Sequence, residues 1–348
     1  MIHKRKALIT GAVLAAALAL SACTPQGSGG GSGTKALSDI KVALVPGGAA
    51  AYFQPWIQAG LDAKADFGIG DVIFNETSEW DQTKQTAALN ALGAQGYTAF
   101  GVFGVSATDI NTTFSTLKKA GFATGSLASC PAADVNEADF CLSTDTGLAA
   151  YKATVEVIKA MGGSGNLVAL SGDATDTNTV RRIEGVKKAV GETNGAVTLI
   201  TTITDIEGDL QLAQKAVDDL LASKGAEIQG IVATTYNTAI ATAQGLTTTG
   251  LPIKAVGTDD DPITLDAIKA GVLTGTVVQN PYGQGYIGTW AVANLQAGIC
   301  TVNEPGFRVD SGSFLVTKDT IPTYDNDRKA TTKEILKDFQ TKYFTCAE

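Results

Sequence analysis

Three consecutive aspartates, Asp259, Asp260 and Asp261, close the apolar run IKAVGT, and Gln279 ends the run GTVVQ twenty residues after the first of them. A carboxylate accepts two hydrogen bonds side by side, while a primary amide both donates and accepts. Together they suit a ligand rich in hydroxyls. The complementary groups also follow short apolar runs: Tyr52 and Phe53, Trp80 and Asp81, Asp173, Asp176, Asn178, Thr235 and Asn237, with Arg182 further along a helical pattern. Aromatic faces match the C–H faces of a sugar or polyol, and guanidinium, amide and carboxylate groups satisfy its oxygens.

Several of these residues also have a purely structural reading. Asp261 precedes Pro262 and Asp81 precedes TKQTAALNAL, so both read as helix N-caps. Trp80 suits a cleft wall or the edge of a core. Arg182 shares its segment with Arg181, Lys187 and Lys188, the charge pattern of a solvated helix face, and Asp260 reads as solvated.

Proton-transfer and metal chemistry are poorly supplied. The only histidine is His3, inside an N-terminal targeting pattern, so the processed chain has no imidazole for Ser-His-Asp or Cys-His catalysis. Gly47-Gly48 follows an apolar run, but the Gly-x-Gly-x-x-Gly pattern of a dinucleotide loop is absent. No catalytic residue, metal or cofactor is assigned. Asp259 and Asp260 as the carboxylate pair of a secreted glycoside hydrolase are the enzymatic alternative. Neighbouring residues at a strand end point in different directions, which disfavours that pair.

The elements that must position these residues alternate regularly. Short β-branched runs such as KVALVP (41–46), AFGVFG (99–104), NLVALSG (166–172), IQGIVAT (228–234) and GTVVQ (275–279) are separated by helical patterns such as PWIQAGLDAKADF and DLQLAQKAVDDLLAS. Runs this apolar, without alternation, read as parallel strands buried on both faces under helices. In such sheets ligands sit at the carboxyl ends of the strands, where the polar residues above fall. The expected fold class is α/β, with two doubly wound parallel-sheet lobes, divided within the non-periodic stretch 129–145.

The N-terminus is built for export. His3-Lys4-Arg5-Lys6 precedes the apolar run Ala7–Leu20, a signal peptide over residues 1–22 that is too short to span a bilayer. Leu20-Ser21-Ala22-Cys23 resembles a bacterial lipobox, which makes Cys23 the lipidated first residue of the mature chain. Lipid chains there would anchor the protein to the membrane. Residues 23–39, rich in Gly and Ser, read as a flexible tether with an end-to-end distance of about 22 Å. The remaining cysteines are an even set in an oxidising compartment. Cys130 pairs with Cys141 across one short loop and Cys300 with Cys346, whereas the other two connectivities would join distant segments. The net charge is −9, and it becomes more negative when Lys4, Arg5 and Lys6 leave, so nucleic acid is not a partner.

Residues 255–285, AVGTDDDPITLDAIKAGVLTGTVVQNPYGQG, carry a Gly-x-Asp at a strand end, a helix ending Ile-Lys-x-Gly, and Gln-x-Pro. With DQTKQTAALNALGAQGYTAFGV, RRIEGVKKAV and the aromatic pair Tyr52-Phe53, they resemble the periplasmic sugar-binding proteins of the ribose-binding type, over roughly Ile40 to Val316. The resemblance implies the type I periplasmic binding fold, two lobes joined by a three-stranded hinge that closes on a ligand. It places Asp259, Gln279 and Arg182 at ligand positions, with Thr235 or Asn237 at the family asparagine. Ala128-Ser129 stands where sugar-binding members carry Asp-Arg, which points to a pentose or linear polyol.

The lobes then comprise residues 40–145 with 280–309, and 146–279 with 310–320, and residues 321–348 form a C-terminal tail helix. The implied function is a monomeric, membrane-anchored extracytoplasmic solute-binding lipoprotein that hands a small sugar or polyol to the permease of an ABC importer. A sensory binding protein that presents its ligand to a membrane receptor kinase would have the same sequence features.

Overall fold

The computed structural model describes residues 34–132 and 134–347. The expected signal peptide, the expected lipid site Cys23 and the first part of the expected tether lie outside the described residues.

The first lobe runs β1 (Lys41–Val45), α1 (Pro55–Phe67), β2 (Asp71–Phe74), α2 (Gln82–Ala94), β3 (Ala99–Val102), α3 (Ile110–Lys119), β4 (Ala123–Leu127) and β5 (Phe140–Ser143). The second runs α4 (Thr146–Ala160), β6 (Gly165–Leu170), α5 (Thr177–Gly191), β7 (Val197–Ile203), α6 (Leu210–Lys224), β8 (Gly230–Ala233), α7 (Tyr236–Thr249), β9 (Lys254–Thr258), α8 (Pro262–Ala270) and β10 (Gly275–Gln279). The chain then returns to the first lobe through α9 (Pro281–Ala297), β11 (Cys300–Val302) and β12 (Phe307–Asp310). It enters the second again as β13 (Ser313–Thr317) and finishes with α10 (Tyr324–Asp338) and β14 (Phe344–Cys346).

Each lobe holds a six-stranded sheet, in the orders β12-β5-β4-β3-β1-β2 and β13-β10-β9-β8-β6-β7. All pairings within them are parallel except that of β13 with β10. Within β1, Val42 and Leu44 join the core under α1 and α9, while Ala43 and Val45 join the core under α2 and α3. The second sheet is likewise covered by α6, α7 and α8 on one face and by α4 and α5 on the other. Two covered faces explain the unalternating strand sequences.

Some local readings change. The stretch 129–145, expected to be a loop, contains β5, whose four residues are all buried between β4 and β12. A four-residue strand without alternation carries no periodic signal to separate it from a loop. Residues 35–39, expected to belong to the tether, are held on the first lobe, because the Lys35 amide donates to the Ala297 carbonyl and Leu37 packs against the first core.

Cys130 is joined to Cys141, and Cys300 to Cys346 across the register of β11 and β14. Between the lobes the chain passes at Thr144, at Asn280 and at Ser311, the three expected connectors. The C-terminal segment crosses as well. Ile321 packs on the second core, whereas Phe339 and Phe344 are buried in the first against Phe140 and Phe307.

Candidate ligand-binding site between the lobes

Tyr52, which follows β1 in the first lobe, lies close enough to Asp259, after β9, and to Arg182, on α5, for both charges to act on its hydroxyl, so the two lobes meet here. Asp259 follows β9 with a left-handed backbone (φ 66°), its amide bonded to the Val277 carbonyl. Its carboxylate is buried and accepts from Gln279 Nε2 at 3.1 and 3.2 Å. Burial, reinforced by the adjacent charge of Asp260, pushes the Asp259 carboxyl up to about 6, with the Gln279 amide and the Arg182 guanidinium opposing the rise.

The three adjacent aspartates have three separate sets of partners. Asp260 accepts from Tyr324 Oη at 2.9 Å and Arg328 Nη1 at 3.2 Å, both on α10. Asp261 caps α8 through the Ile263 amide at 2.8 Å and accepts from Tyr236 Oη at 2.6 Å. Asp259 and Asp260 are therefore not a matched pair facing one substrate, and the hydrolase alternative loses its residues.

Arg182 lies on α5, mostly buried, 3.9 Å from the N-cap Asp176 and near enough to act on Tyr52 and Asp259, so it is not on the solvated face of its helix. Glu207, which follows β7, sits beside it. A Cβ at Gly172 would lie 2.3 Å from the Glu207 carboxyl carbon, so this carboxylate rests directly on backbone that only glycine leaves open. Burial raises the Glu207 carboxyl above the usual range against the pull of Arg182. Asn237 donates to the Glu207 carbonyl at 2.6 Å, and Asn178 occupies the first turn of α5, half-buried. The Thr235 hydroxyl is engaged locally in a capping box with Thr238 at the start of α7. Asp173 holds its own turn through Thr175.

The first lobe presents aromatics. Trp80 is 51% exposed, and its indole lies flat over Gly47 and Gly48, where any Cβ would approach it within 2.9 Å. Phe53 and Phe103 pack beside it at centroid distances of 6.1 and 6.0 Å, which leaves one aromatic face open as a candidate cleft wall. Phe53 is itself buried on Trp56 and supports this wall from behind. Tyr52 reaches toward the second lobe. Burial, and then the Asp259 carboxylate, raise its hydroxyl well above the usual range, so it stays protonated and donates to Gln284 Oε1 at 3.0 Å.

Phe103, Glu207 and Gln284 thus join the candidate site without any local signal in the sequence. Gln284 Nε2 donates to Ser311 Oγ at 2.9 Å and to Thr144 Oγ1 at 3.4 Å, while Asn280 Nδ2 donates to the Ser311 carbonyl. The three connectors thereby share one buried network that reaches Tyr52. Gln85, part of the Asp-x-x-x-Gln pattern, ties the loops after β1 and β3 by donating to the Pro46 and Phe103 carbonyls. Ala128, where sugar-binding members carry Asp, is buried with φ 62° and offers no polar group.

Two α/β lobes that bring Tyr52 of one to Asp259 and Arg182 of the other have the architecture of a two-lobed binding protein. Residues 41–299 match the family described as periplasmic binding protein domain, and the chain belongs to it. A search of curated proteins gave no match. Among solved structures, the chain is similar to a sugar-binding protein of a sugar ABC transporter from Bacillus halodurans, with 20% identity, TM-score 0.73, and 82% of this chain and 99% of that one covered. It is also similar to an ABC transporter solute-binding protein from Burkholderia graminis in complex with D-arabinose, with 20% identity, TM-score 0.72, and 83% and 99% covered. A third, from Bacillus halodurans with bound myo-inositol, has 21% identity, TM-score 0.71, and 85% and 99% covered. Among the described residues, no helix is long and apolar enough to cross a membrane.

Proposed function

We propose that this chain captures a small sugar or polyol between its lobes outside the cytoplasm, anchored to the membrane through Cys23, and delivers it as a monomer to the permease of an ABC importer. The observation that carries this reading is the approach of Tyr52 on one lobe to Asp259, with its partner Gln279, and to Arg182 on the other, with the exposed Trp80 on the Tyr52 side. A hydroxyl-rich ring or chain has apolar faces for the first set and oxygens for the second. The ligands named for the solved relatives, D-arabinose and myo-inositol, have that chemistry. The absent polar group at Ala128 favours a pentose or linear polyol over a hexose.

Ligand touching both lobes stabilises the closed form, and that form is what a permease would recognise. The hydrogen bond from Tyr52 to Gln284 links the ligand surface to all three connectors, so seating of a ligand against Tyr52 is felt at the hinge.

The test is a thermal-shift panel of D-arabinose, D-ribose, D-xylose, D-allose, myo-inositol and ribitol. At a thousandfold excess over Kd a binder adds about 4 kcal/mol of stability. A panel without any shift, alongside a shift with amino acids or a metal salt, would overturn the sugar reading.

A further inference from the structure

The family match ends at residue 299, yet the chain continues into a segment that touches both lobes and the strand end carrying Asp259. From β13 the chain turns into α10, whose first turns lie on the second lobe through Tyr324 and Arg328. One turn beyond Arg328, Thr332 is buried at the hinge, where its Oγ1 accepts from Asn280 Nδ2 at 3.1 Å. The close approach of α9 here requires Gly283, at which a Cβ would lie 2.7 Å from Thr332 Oγ1. The segment ends in the first lobe, with Phe339 and Phe344 buried, β14 paired to β11, and Cys346 bonded to Cys300.

We propose that Arg328 is a positioning residue for the ligand carboxylate Asp259. By holding Asp260 and neutralising its charge, it lets the end of β9 present one carboxylate to the cleft, and it makes the C-terminal segment a fourth tie between the lobes. The inference rests on the reading of the interlobe cleft as the ligand site.

Asp260 is the neighbour whose negative charge opposes ionisation of Asp259, and α10 supplies its hydrogen-bond partners. Arg328 is mostly buried and is shared between Asp260 and Asp325, at 3.2 and 2.7 Å. The other charged or titratable groups facing Asp259 are Arg182 from α5, Tyr52 from the first lobe and Tyr236 from α7. Facing Asp260 are Tyr324 and Arg328 from α10, with Tyr236 from α7. Arg328 is thus the cation that balances the second aspartate, while Arg182 balances the first. Without Arg328 the uncompensated charge of Asp260 would act on a desolvated neighbour, where screening is weakest.

The experiment uses the ligand-free, full-length mature chain labelled with carbon-13 at the aspartate carboxyl groups, with the Asp259 resonance assigned from an Asp259→Asn variant. In the wild type the Asp259 midpoint should lie near 6. Arg328→Gln should raise it by about half a pH unit or more, from the loss of one charge through Asp260. Asp260→Asn should lower it, and adding Arg328→Gln to Asp260→Asn should move it little further, because the arginine acts through that aspartate.

A purely structural Arg328 would lower the melting temperature and leave the midpoint in place. A midpoint in Arg328→Gln within about 0.2 pH units of wild type, or a full upward shift retained in the Asp260→Asn background, overturns the inference. Should Arg328→Gln not fold, Asp260→Asn still decides, because an unmoved or raised midpoint there refutes the coupling. The titration needs no ligand, so an inert sugar panel would remove the ligand reading without altering this result. With D-arabinose as probe, the acid limb of binding should follow the Asp259 midpoint from variant to variant.

Discussion

Gln279 directs its side-chain amide at Asp259, with Nε2 3.1 Å from one carboxylate oxygen and 3.2 Å from the other. The residues end neighbouring strands, so β9 and β10 orient the acceptor before any ligand arrives. An amide is a weaker partner than a guanidinium, and it leaves the buried carboxylate only partly compensated. The Asp259 carboxyl consequently sits near 6, well above the 3.8 of a free aspartate.

That rise makes the proposed ligand residue Asp259 destabilising to the empty protein. Below pH about 4 both folded and unfolded forms bind the proton, and the carboxylate has no effect on stability. As pH rises through the window from 3.8 to about 6, the folded form must give up a proton it holds more tightly, and stability falls. Above it the penalty is full, about 3 kcal/mol from the size of the rise. Asp259→Asn should therefore raise the melting temperature of the ligand-free protein at pH 7, with the gain fading toward pH 4, while binding is lost. Asparagine also tolerates the left-handed backbone of this position. Equal melting curves at pH 7, or retained binding, would refute the assignment.

Asp261 should behave differently, since it caps α8 and holds Tyr236. Asp261→Ala is expected to lower stability by about 1 to 2 kcal/mol, the size of a lost N-cap and hydroxyl bond, at unchanged affinity. Denaturant melts paired with calorimetry on the sugar found by the panel will separate the two aspartates. A large drop in affinity without loss of stability would show that their roles are exchanged.

Trp80 and the glycines beneath it form one unit. Trp80→Ala should weaken binding by about three- to tenfold, the value of one aromatic face, with little change in melting because the ring is half exposed. Gly48→Ala should weaken binding similarly, since its Cβ would lie 2.7 Å from the indole nitrogen and displace the ring. An alanine at Gly48 that binds as wild type would mean the indole is not part of the cleft wall.

Gln284 is fully buried and joins Tyr52 to Ser311 and Thr144. Replacing it with Leu strands these hydroxyls and should cost about 1 to 3 kcal/mol. Loss of the hinge link should also slow or weaken ligand-induced closure, read as a smaller change in the radius of gyration by small-angle scattering. Unaltered stability and closure would leave the network without a role.

The proposed membrane anchor has its own test. Cys23→Ser should release the protein into the soluble fraction with affinity for the ligand unchanged, because the cleft is built from residues beyond the tether. Continued membrane attachment would exclude lipidation at this residue.

Local chemistry determined much of this protein from the sequence alone. Unalternating runs such as KVALV read as strands covered on both faces, and Asp81 and Asp261 cap the helices they precede, at the Lys84 and Ile263 amides. Strand-end positions named Asp259, Gln279, Tyr52 and Trp80 as candidates because a parallel sheet directs ligand residues to one edge. The tertiary structure decided what depends on distant contacts. β5 is a strand only because β4 and β12 flank it. Thr235 and Asn237 looked equivalent to the other polar strand-end residues, yet one is engaged in its own helix cap and the other on the Glu207 carbonyl. Glu207 and Gln284 enter the site through Gly172 and Tyr52, and Asp260 is drawn to Arg328 from 68 residues away. Spacing along a chain encodes neighbours on one helix or strand, whereas burial and charge compensation arise only when separate elements meet, and these set the ionisation of Asp259.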